Sequence, residues 1–312
     1  VTGNLVFKQL PEAVTPNMVM MEAMSGSSNR QLSYYFVRLD QDNLGEWFDQ
    51  PAFIDYTVKP NQSYRYTYKV KDHYGNVTDM SSPVSVSTDT TNFSIYQDQF
   101  SQTKNFLQEE ISNSIWTGIV GKEQTESAIV ISAGNQKLQL ESKGTNWDGN
   151  LPYGPYLYRT VDGDFVAEVM VSDVSGLSTR RVAGNNEVGL MARLPYDTAV
   201  NTRRPQQQLI QNGIFPAWSV GNLFTNFQNG RREQHNTQAA WDYHPYLQIH
   251  RKGNLFYIRT SKDGRYWINM PGSPVLRNDM NGKPVQVGLY QSTYGPTQAY
   301  GIFSNFRLIE RK

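Results

Sequence analysis

The sequence predicts an all-β protein composed of two sandwiches, and three observations lead to this fold class. Short β-rich runs recur at intervals of roughly 8–12 residues, separated by Gly, Asn, Asp or Pro, which is typical of sandwiches and barrels. Evidence for amphipathic helices is poor along the whole chain. A length of 312 residues is long for one sandwich and comfortable for two domains.

The predicted domain boundary lies near residue 90. Before it, residues 63–70 alternate strictly, so that Tyr64, Tyr66, Tyr68 and Val70 share one face of a strand. The polar, small and turn-prone residues 88–92 follow, and their composition indicates a linker. We therefore expect a small sandwich over residues 1–90 and a larger one over residues 91–312.

The first domain contains a series of short aromatic and turn motifs. They are Tyr34-Tyr35-Phe36, Gly45-Glu46-Trp47, Pro60-Asn61-Gln62-Ser63-Tyr64-Arg65-Tyr66, Val70-Lys71-Asp72 and Gly75-Asn76. Together they resemble a fibronectin type III module of the kind appended to bacterial carbohydrate-active enzymes. The resemblance implies a spacer or docking module without catalytic residues. Trp47 and Tyr66 are then core or corner residues.

In the second domain, two β-rich runs have clear alternation. Phe165, Ala167, Val169 and Val171 point toward a core from one run, while Val166, Glu168 and Met170 point away from it. In the other run, Val188, Leu190 and Ala192 alternate with Gly189, Met191 and Arg193, which places Arg193 opposite the apolar residues. Asp162-Gly163 predicts a hairpin turn before the first run.

Four motifs follow one another in the larger domain. They are Gly189-Leu190-Met191-Ala192-Arg193, then Leu247-x-Ile249-x-Arg251-x-Gly253-Asn254, then Ser261-x-Asp263-Gly264-x-x-Trp267, then Val287-Gly288-Leu289. In this order they resemble the concanavalin A-like jelly roll found as the C-terminal domain of family-43 glycosidases. An opening strand at residues 95–100 and a closing strand at residues 300–309 are expected to lie side by side. The resemblance implies a glycan-linked context and no single activity.

Sugar binding needs aromatic platforms, planar amides and arginine, and a jelly-roll sheet can present all three. Gln207 and Gln211 share a side of one predicted strand, and Asn222, Phe224, Asn226 and Gln228 share a side of another. Such rows are also compatible with a solvated outer sheet face. The candidate ligand-binding residues are Trp147, Tyr156, Tyr158, Arg193, Gln207, Trp218, Asn222, Asn226, Arg231, Trp241 and Tyr294.

Catalysis is left open by the sequence. Glycoside hydrolysis needs two carboxylates facing one cleft, and the E-x-D-x-x-E signature of jelly-roll endoglycanases is absent. Asp162 and Asp164 flank a glycine and are interpreted as turn residues. Glu233 and His235 are the weak candidates for an acid/base pair, and a pair of Glu233 with Glu187 or Asp242 is the alternative.

Composition excludes several partners. The net charge of +1 argues against nucleic acid, and no apolar run approaches the ~20 residues of a membrane span. Low charge with abundant Tyr and amides favours a secreted, periplasmic or bacterial cell-surface protein. No cofactor is expected, although a structural Ca²⁺ is compatible with this fold class.

Three hypotheses follow for the function. The first, which we favour, is a carbohydrate-binding protein or accessory module of a polysaccharide-degrading system, with an oligo- or polysaccharide as partner. The second is a glycoside hydrolase acting on a plant or host glycan. The third is a structural domain pair of a larger glycosidase, which positions a separate catalytic domain.

Overall fold

The computed structural model describes residues 5–24, 32–40, 47–89, 93–123, 127–147, 153–175, 185–195, 207–216, 220–239, 243–265 and 267–312. The chain divides into two compact units. The first unit comprises Val1–Phe93 with Arg265–Ile268, and the second comprises Ser94–Gly264 with Asn269–Lys312. Strands form nearly all of the regular structure, so the predicted all-β class is confirmed.

The first unit is a small sandwich of two three-stranded sheets, with strand orders β1-β2-β4 and β3-β5-β6. Its strands are β1 (Phe7–Thr15), β2 (Met18–Ala23), β3 (Leu32–Arg38), β4 (Ala52–Asp55), β5 (Ser63–Asp72) and β6 (Val84–Ser87). Tyr64, Tyr66, Tyr68 and Val70 of β5 all lie in its core, as their alternation predicts. The closer resemblance to fibronectin type III stays a prediction.

A buried ion pair lies within this first unit. Arg38 donates from Nη1 to Oδ2 of Asp55 over 2.9 Å, and the Tyr66 hydroxyl donates to the same oxygen over 2.8 Å. The other carboxylate oxygen accepts hydrogen bonds from the amide and hydroxyl of Thr57. Asp40 at the surface pairs with Arg38 Nε over 2.8 Å. The buried charges are therefore paired, and both carboxylate oxygens of Asp55 accept hydrogen bonds.

A larger sandwich of a ten-stranded and a seven-stranded sheet is formed mainly by the second unit. The ten-stranded sheet contains β7 (Phe93–Asp98), β8 (Lys104–Asn105), β10 (Val130–Gly134), β11 (Lys137–Ser142), β13 (Phe165–Val174), β18 (Tyr246–Lys252), β19 (Leu255–Ser261), β20 (Trp267–Asn269), β21 (Val275–Leu276) and β23 (Ala299–Arg311). The seven-stranded sheet contains β9 (Gly118–Val120), β12 (Tyr156–Val161), β14 (Glu187–Arg193), β15 (Leu209–Ile214), β16 (Val220–Gln228), β17 (Arg231–Ala239) and β22 (Val285–Ser292).

The seven-stranded sheet has the order β17-β16-β15-β14-β22-β12-β9. The ten-stranded sheet runs β20-β19-β18-β13-β23-β11-β10-β8, with β7 also paired to β23 and β21 to β19. Because β7 opens the unit and β23 closes it, the expected contact between first and last strands is confirmed. The described pairings in both sheets are antiparallel where the register is defined.

One local prediction was wrong. Asp162-Gly163 does not close a hairpin, because β12 belongs to the seven-stranded sheet and β13 to the ten-stranded sheet. The turn carries the chain from one layer to the other. Asp164 fixes it by accepting a hydrogen bond from the amide of Gly253 over 2.5 Å. Gly163 has a φ of +115°, a conformation that favours glycine.

The core of the second unit lies between its two sheets. Phe165, Ala167, Val169 and Val171 contribute from β13, on the side that the alternation predicts. From the opposite sheet, β14 contributes Val188, Leu190 and Ala192, all fully buried. Burial of this apolar surface is the main force that holds the layers together. In the described part of the chain, no helix has the length and apolar character that crossing a membrane requires.

Candidate functional site on the outer face

The outer face is the side of the seven-stranded sheet turned away from the core. Since β14 places Val188, Leu190 and Ala192 in the core, Arg193 lies on the outer face, as predicted. The strand register then aligns outer-face residues in rows across the sheet. The middle row contains Tyr158, Gly288, Met191, Gln211, Thr225 and His235. The row beside it contains Thr160, Gln286, Arg193, Leu209, Phe227 and Arg232.

A second apolar cluster covers this outer face. It contains Trp147, Tyr156, Met191, Leu209, Phe227 and Tyr290, with Tyr158 and Val120 packed at its margin. Trp147 donates from Nε1 to the carbonyl of Gln291 over 3.1 Å, which fixes the indole against the sheet. The Tyr156 and Tyr158 rings stack with centres 5.2 Å apart. Tyr158 is half-buried, whereas the six members of the cluster are at most 2% exposed.

Arg193 lies among these rings. Its guanidinium carbon is 5.4 Å from the centre of the Trp147 ring and 5.3 Å from that of Tyr156. Its Nε donates to Oε1 of Gln286 over 2.7 Å, which orients the planar group. The side chain is 8% exposed. Rings and an amide therefore hold a buried cation in one position.

No carboxylate neutralises this cation among the described residues. Arg193 forms no ion pair there. Burial lowers the pKa of its guanidinium, and the hydroxyls of Tyr156 and Tyr158 only partly offset this effect. Arginine nevertheless stays protonated in proteins at neutral pH. The outer face therefore carries a buried positive charge that the described residues leave uncompensated.

The acidic group of the outer face lies at the opposite end of β14. Glu187 is buried and accepts hydrogen bonds from the hydroxyls of Tyr290 and Tyr294, the latter over 2.8 Å. Burial, followed by the charge of Glu187, raises the pKa of Tyr290 well above its usual value. Glu187 is six residues from Arg193 along one strand, which corresponds to about 20 Å. It cannot pair with that arginine.

Two buried amides beside Arg193 have no partner. Gln211 is 0% exposed and Gln207 is 5% exposed, and none of their side-chain oxygens and nitrogens forms a hydrogen bond within the described structure. Gln211 lies directly opposite Met191 in the register, and Gln207 precedes Leu209 by two residues. Each unmade hydrogen bond of a buried polar group costs about 1–3 kcal/mol. The hydroxyl groups of a ligand would satisfy these free hydrogen-bond donors and acceptors.

Asn222 and Asn226 were predicted to bind ligand, and the structure places both elsewhere. They share a face of β16 with Phe224, which belongs to the core between the sheets. Asn222 exchanges two hydrogen bonds with the backbone of His244, each 2.9 Å long. Asn226 accepts from Arg277 Nη1 over 2.7 Å. Both amides are satisfied inside the sandwich, and neither reaches the outer face.

The acid/base candidates lie on the edge strand β17. The side chain of Glu233 is 44% exposed and lies 3.8 Å from Nε of Arg231, whose own side chain is 84% exposed. His235 is on the middle row, with Nδ1 3.4 Å from the Thr225 hydroxyl. Glu233 and Glu187 are three strands apart, about 14 Å across the sheet, and further apart along it. They cannot cooperate as the paired carboxylates of a glycosidase.

The remaining predictions divide by position. Tyr294 borders the outer face through its bond to Glu187, and Trp147, Tyr156 and Tyr158 surround Arg193. Trp241 and Trp218 lie outside the described residues. Within the described ranges, no three His, Cys, Asp or Glu side chains cluster so as to hold a metal ion. A structural Ca²⁺ stays a prediction.

Sequence reasoning missed Met191, Gln286 and Tyr290 as neighbours of the site. Residues 285–290 alternate between the core positions Val285, Val287 and Leu289 and the outer positions Gln286, Gly288 and Tyr290. This period of two was visible in the sequence and would have placed Gln286 and Tyr290 on the face opposite their apolar neighbours. Both faces of β22 are buried, however, so that its run of residues does not identify either face as a site.

Comparisons with known proteins give no family. No protein-family model matches the chain, and no curated protein matches it. A functionally unknown protein from Saccharomyces cerevisiae is 17% identical with a TM-score of 0.42, over 55% of this chain and 86% of that one. A prokaryotic β-1,3-1,4-glucanase (lichenase) derived from a mouse hindgut metagenome is 10% identical with a TM-score of 0.41, over 70% of this chain and 100% of that one.

A mutant of the GH43 protein BlXynB from Bacillus licheniformis is 11% identical with a TM-score of 0.45. The alignment covers 99% of this chain and 66% of that one. Several of the similar solved structures are thus glycoside hydrolases, from families GH16 and GH43. Similarity at this level carries no information about activity or ligand.

Proposed function

We propose that the second unit is a carbohydrate-binding sandwich that holds a glycan on the outer face of its seven-stranded sheet. The observation that carries the proposal is the pair of buried amides, Gln207 and Gln211, whose polar atoms lack partners on the same side of the second unit as the rings of Trp147, Tyr156 and Tyr158. Secretion and membership of a polysaccharide-degrading system are consistent with this function and stay predictions.

The chemistry of this face suits a sugar better than an apolar ligand. A pyranose presents C–H groups on one side and hydroxyls around its edge, so that it stacks on aromatic rings and bonds to amides. Thr225 and His235 extend the polar part of the middle row toward the sheet edge. An apolar ligand would cover the rings but would leave Gln207 and Gln211 without hydrogen bonds, at a cost of about 1–3 kcal/mol for each unmade bond.

The test is affinity electrophoresis of the purified protein through gels that contain neutral and acidic polysaccharides, one in each gel. We expect the wild-type protein to be retarded by at least one polymer. Gln211→Leu should lose that retardation, since leucine keeps the volume but removes both polar atoms. Gln108→Leu, at an exposed position of the second unit, is the matched control and should migrate as the wild type.

The same gels distinguish the alternatives. Retardation that Gln211→Leu leaves unchanged would move the site away from the outer face. Free migration in every gel would contradict the proposal and favour a structural role for the two units. Reducing ends released from a bound polymer would favour a glycoside hydrolase, and the search would then begin at Glu187, the buried carboxylate of this face.

A further inference from the structure

We propose that the ligand of the outer face is an acidic sugar, whose anionic group binds the guanidinium of Arg193. This inference rests on the proposed function and specifies its substrate class. The anionic group is the carboxylate of a uronic acid residue or a sulfate ester. Each carries one negative charge and presents two oxygens that accept parallel hydrogen bonds from arginine.

The charge of the buried Arg193 guanidinium favours an anionic ligand. Burying an ion is costly unless a counter-ion or a set of hydrogen bonds compensates it. Of the other buried arginines in the described structure, Arg251 and Arg259 donate several hydrogen bonds to carbonyl and amide oxygens, and two have acidic partners. Arg38 pairs with Asp55, and Arg277 pairs with Asp279 over 2.7 Å. Arg193 has no such partner among the described residues. A bound anion would supply the missing charge.

The orientation of the Arg193 guanidinium also favours an anion. Nε is engaged by Gln286, so the two terminal nitrogens carry the remaining N–H donors. Two parallel donors match two oxygens of one carboxylate or sulfate. Trp147 and Tyr156 flank the guanidinium, which holds it in place before the ligand arrives. A preorganised donor pair of this kind favours an anion over a neutral hydroxyl.

The described groups that face Arg193 are not acidic. Facing it are Gln286 of β22, Tyr156 and Tyr158 of β12, Leu209 of β15, and Trp147. None of them is acidic at neutral pH, and burial raises the pKa of Tyr156 further. Glu187, at about 20 Å along β14, is beyond the range of a direct contact. Within the described residues nothing supplies the negative charge, and an anionic ligand would.

The experiment compares polymers that differ only in charge. Polygalacturonate is compared with its fully methyl-esterified form, and a sulfated galactan with its desulfated form, by affinity electrophoresis of the full chain. We expect one charged polymer to bind the wild type at least about 30-fold more tightly than its neutral counterpart, the scale for breaking a buried charge pair. Preference for the first pair identifies a uronate, and preference for the second a sulfate.

Three variants make the result specific. Arg193→Met should abolish the preference for the charged polymer, and Arg193→Lys should retain part of it, since the charge remains without the fork. Lys137→Met removes the same charge from an exposed position of the ten-stranded sheet and should bind as the wild type. Far-UV circular dichroism checks the fold of each variant. If Arg193→Met fails to fold, the Lys variant and the esterified polymer still decide the question.

The outcomes separate this inference from the function on which it rests. Equal binding of charged and neutral polymers, or an unchanged preference in Arg193→Met, would overturn the acidic ligand. If such binding is still lost in Gln211→Leu, the outer face remains a glycan site for neutral sugars. If no polymer of either pair and no polymer of the earlier panel binds, the proposed function itself fails. An equal loss in Lys137→Met would show non-specific attraction and would also overturn the inference.

Discussion

Two buried arginines, one in each unit, lie in opposite electrostatic settings. Arg38 of the first unit forms ion pairs with Asp55 and Asp40. Burial lowers the pKa of Arg38, but the two carboxylates more than offset this, so that its pKa is raised. Arg193 of the second unit has aromatic rings and an amide around it, and its pKa is lowered. The same residue type is thus a structural element in one unit and a candidate binding group in the other.

The two settings distinguish a buried arginine with a structural role from a candidate binding group. Burial of a charged side chain is by itself no indication of function, because a partner within the fold can satisfy it, as Asp55 does. The informative property is a buried polar group that the fold leaves incomplete. Arg193, Gln207 and Gln211 have this property together, on one face of one sheet. The contrast between satisfied and unsatisfied buried groups predicts effects of different size on stability.

The largest effect on stability is expected when the buried ion pair of Arg38 and Asp55 in the first unit is broken. Asp55→Asn removes the charge that neutralises Arg38 and should lower the free energy of unfolding by about 3–5 kcal/mol, because a buried cation is left unpaired. Urea titration followed by tryptophan fluorescence measures it. Asp40→Asn is the control, since the side chain of Asp40 is 54% exposed and its pair with the same arginine contributes no more than ~1 kcal/mol. Equal effects of both variants would contradict the comparison.

A second contrast involves the two faces of the seven-stranded sheet. Asn222→Leu removes the two hydrogen bonds to the backbone of His244 and should destabilise the second unit by about 2–3 kcal/mol. Gln211→Leu removes no hydrogen bond within the described structure, so its unfolding free energy should stay unchanged or increase. Urea unfolding of both variants provides the measurement. Destabilisation of Gln211→Leu by as much as Asn222→Leu would show that this amide is already satisfied.

A smaller effect is expected for Arg193. Replacement by Met removes an uncompensated buried charge but also the contacts with Trp147 and Tyr156, so the free energy of unfolding should change by less than about 1 kcal/mol. Arg38→Met should in contrast cost about 3 kcal/mol, since it leaves Asp55 unpaired. Thermal unfolding without ligand compares the two. A large loss of stability in Arg193→Met would assign this arginine to the structure.

The smallest effect depends on pH and concerns Arg277. Burial raises the pKa of Asp279, but the hydrogen bonds and charge of Arg277 outweigh burial and lower it below its ordinary value. The pair therefore stabilises the fold fully above about pH 4, the ordinary pKa of an aspartate, and the contribution is lost as pH falls through the lowered pKa. The difference in stability between the wild type and Asp279→Asn should shrink below about pH 4. Urea midpoints measured from pH 3 to pH 7 test this, and a constant difference would contradict it.

The sequence predicted the fold class, the alternation of β13 and β14, and the contact between first and last strands. These properties depend on a period of two and on local turn residues, which are local patterns. Arg193 was assigned to the correct side for this reason. The connection at Asp162-Gly163 was not predicted, because a tight turn has the same composition whether it joins neighbours in one sheet or two layers.

The candidate site was predicted only in part. Alternation indicated that Asn222 and Asn226 share a side, but it does not say which side faces the core when polar residues occupy both. Phe224 between them belongs to the core, and this decides the question only once the sheets are seen to pack. Trp147 was proposed for its residue type alone, and its contact with Arg193 depends on a segment outside the strands. The absence of hydrogen-bond partners at Gln211 is a three-dimensional property that no local pattern shows.

The alternation in β14 also constrains how this protein can evolve. Even positions of the strand build the interior and odd positions build the outer face, so the strand has a frame of two residues. Insertion or deletion of one residue would shift the frame, so that Arg193 would enter the core and its apolar neighbours would replace it outside. Length changes are therefore expected in the connections between strands, while β14 accepts substitutions only.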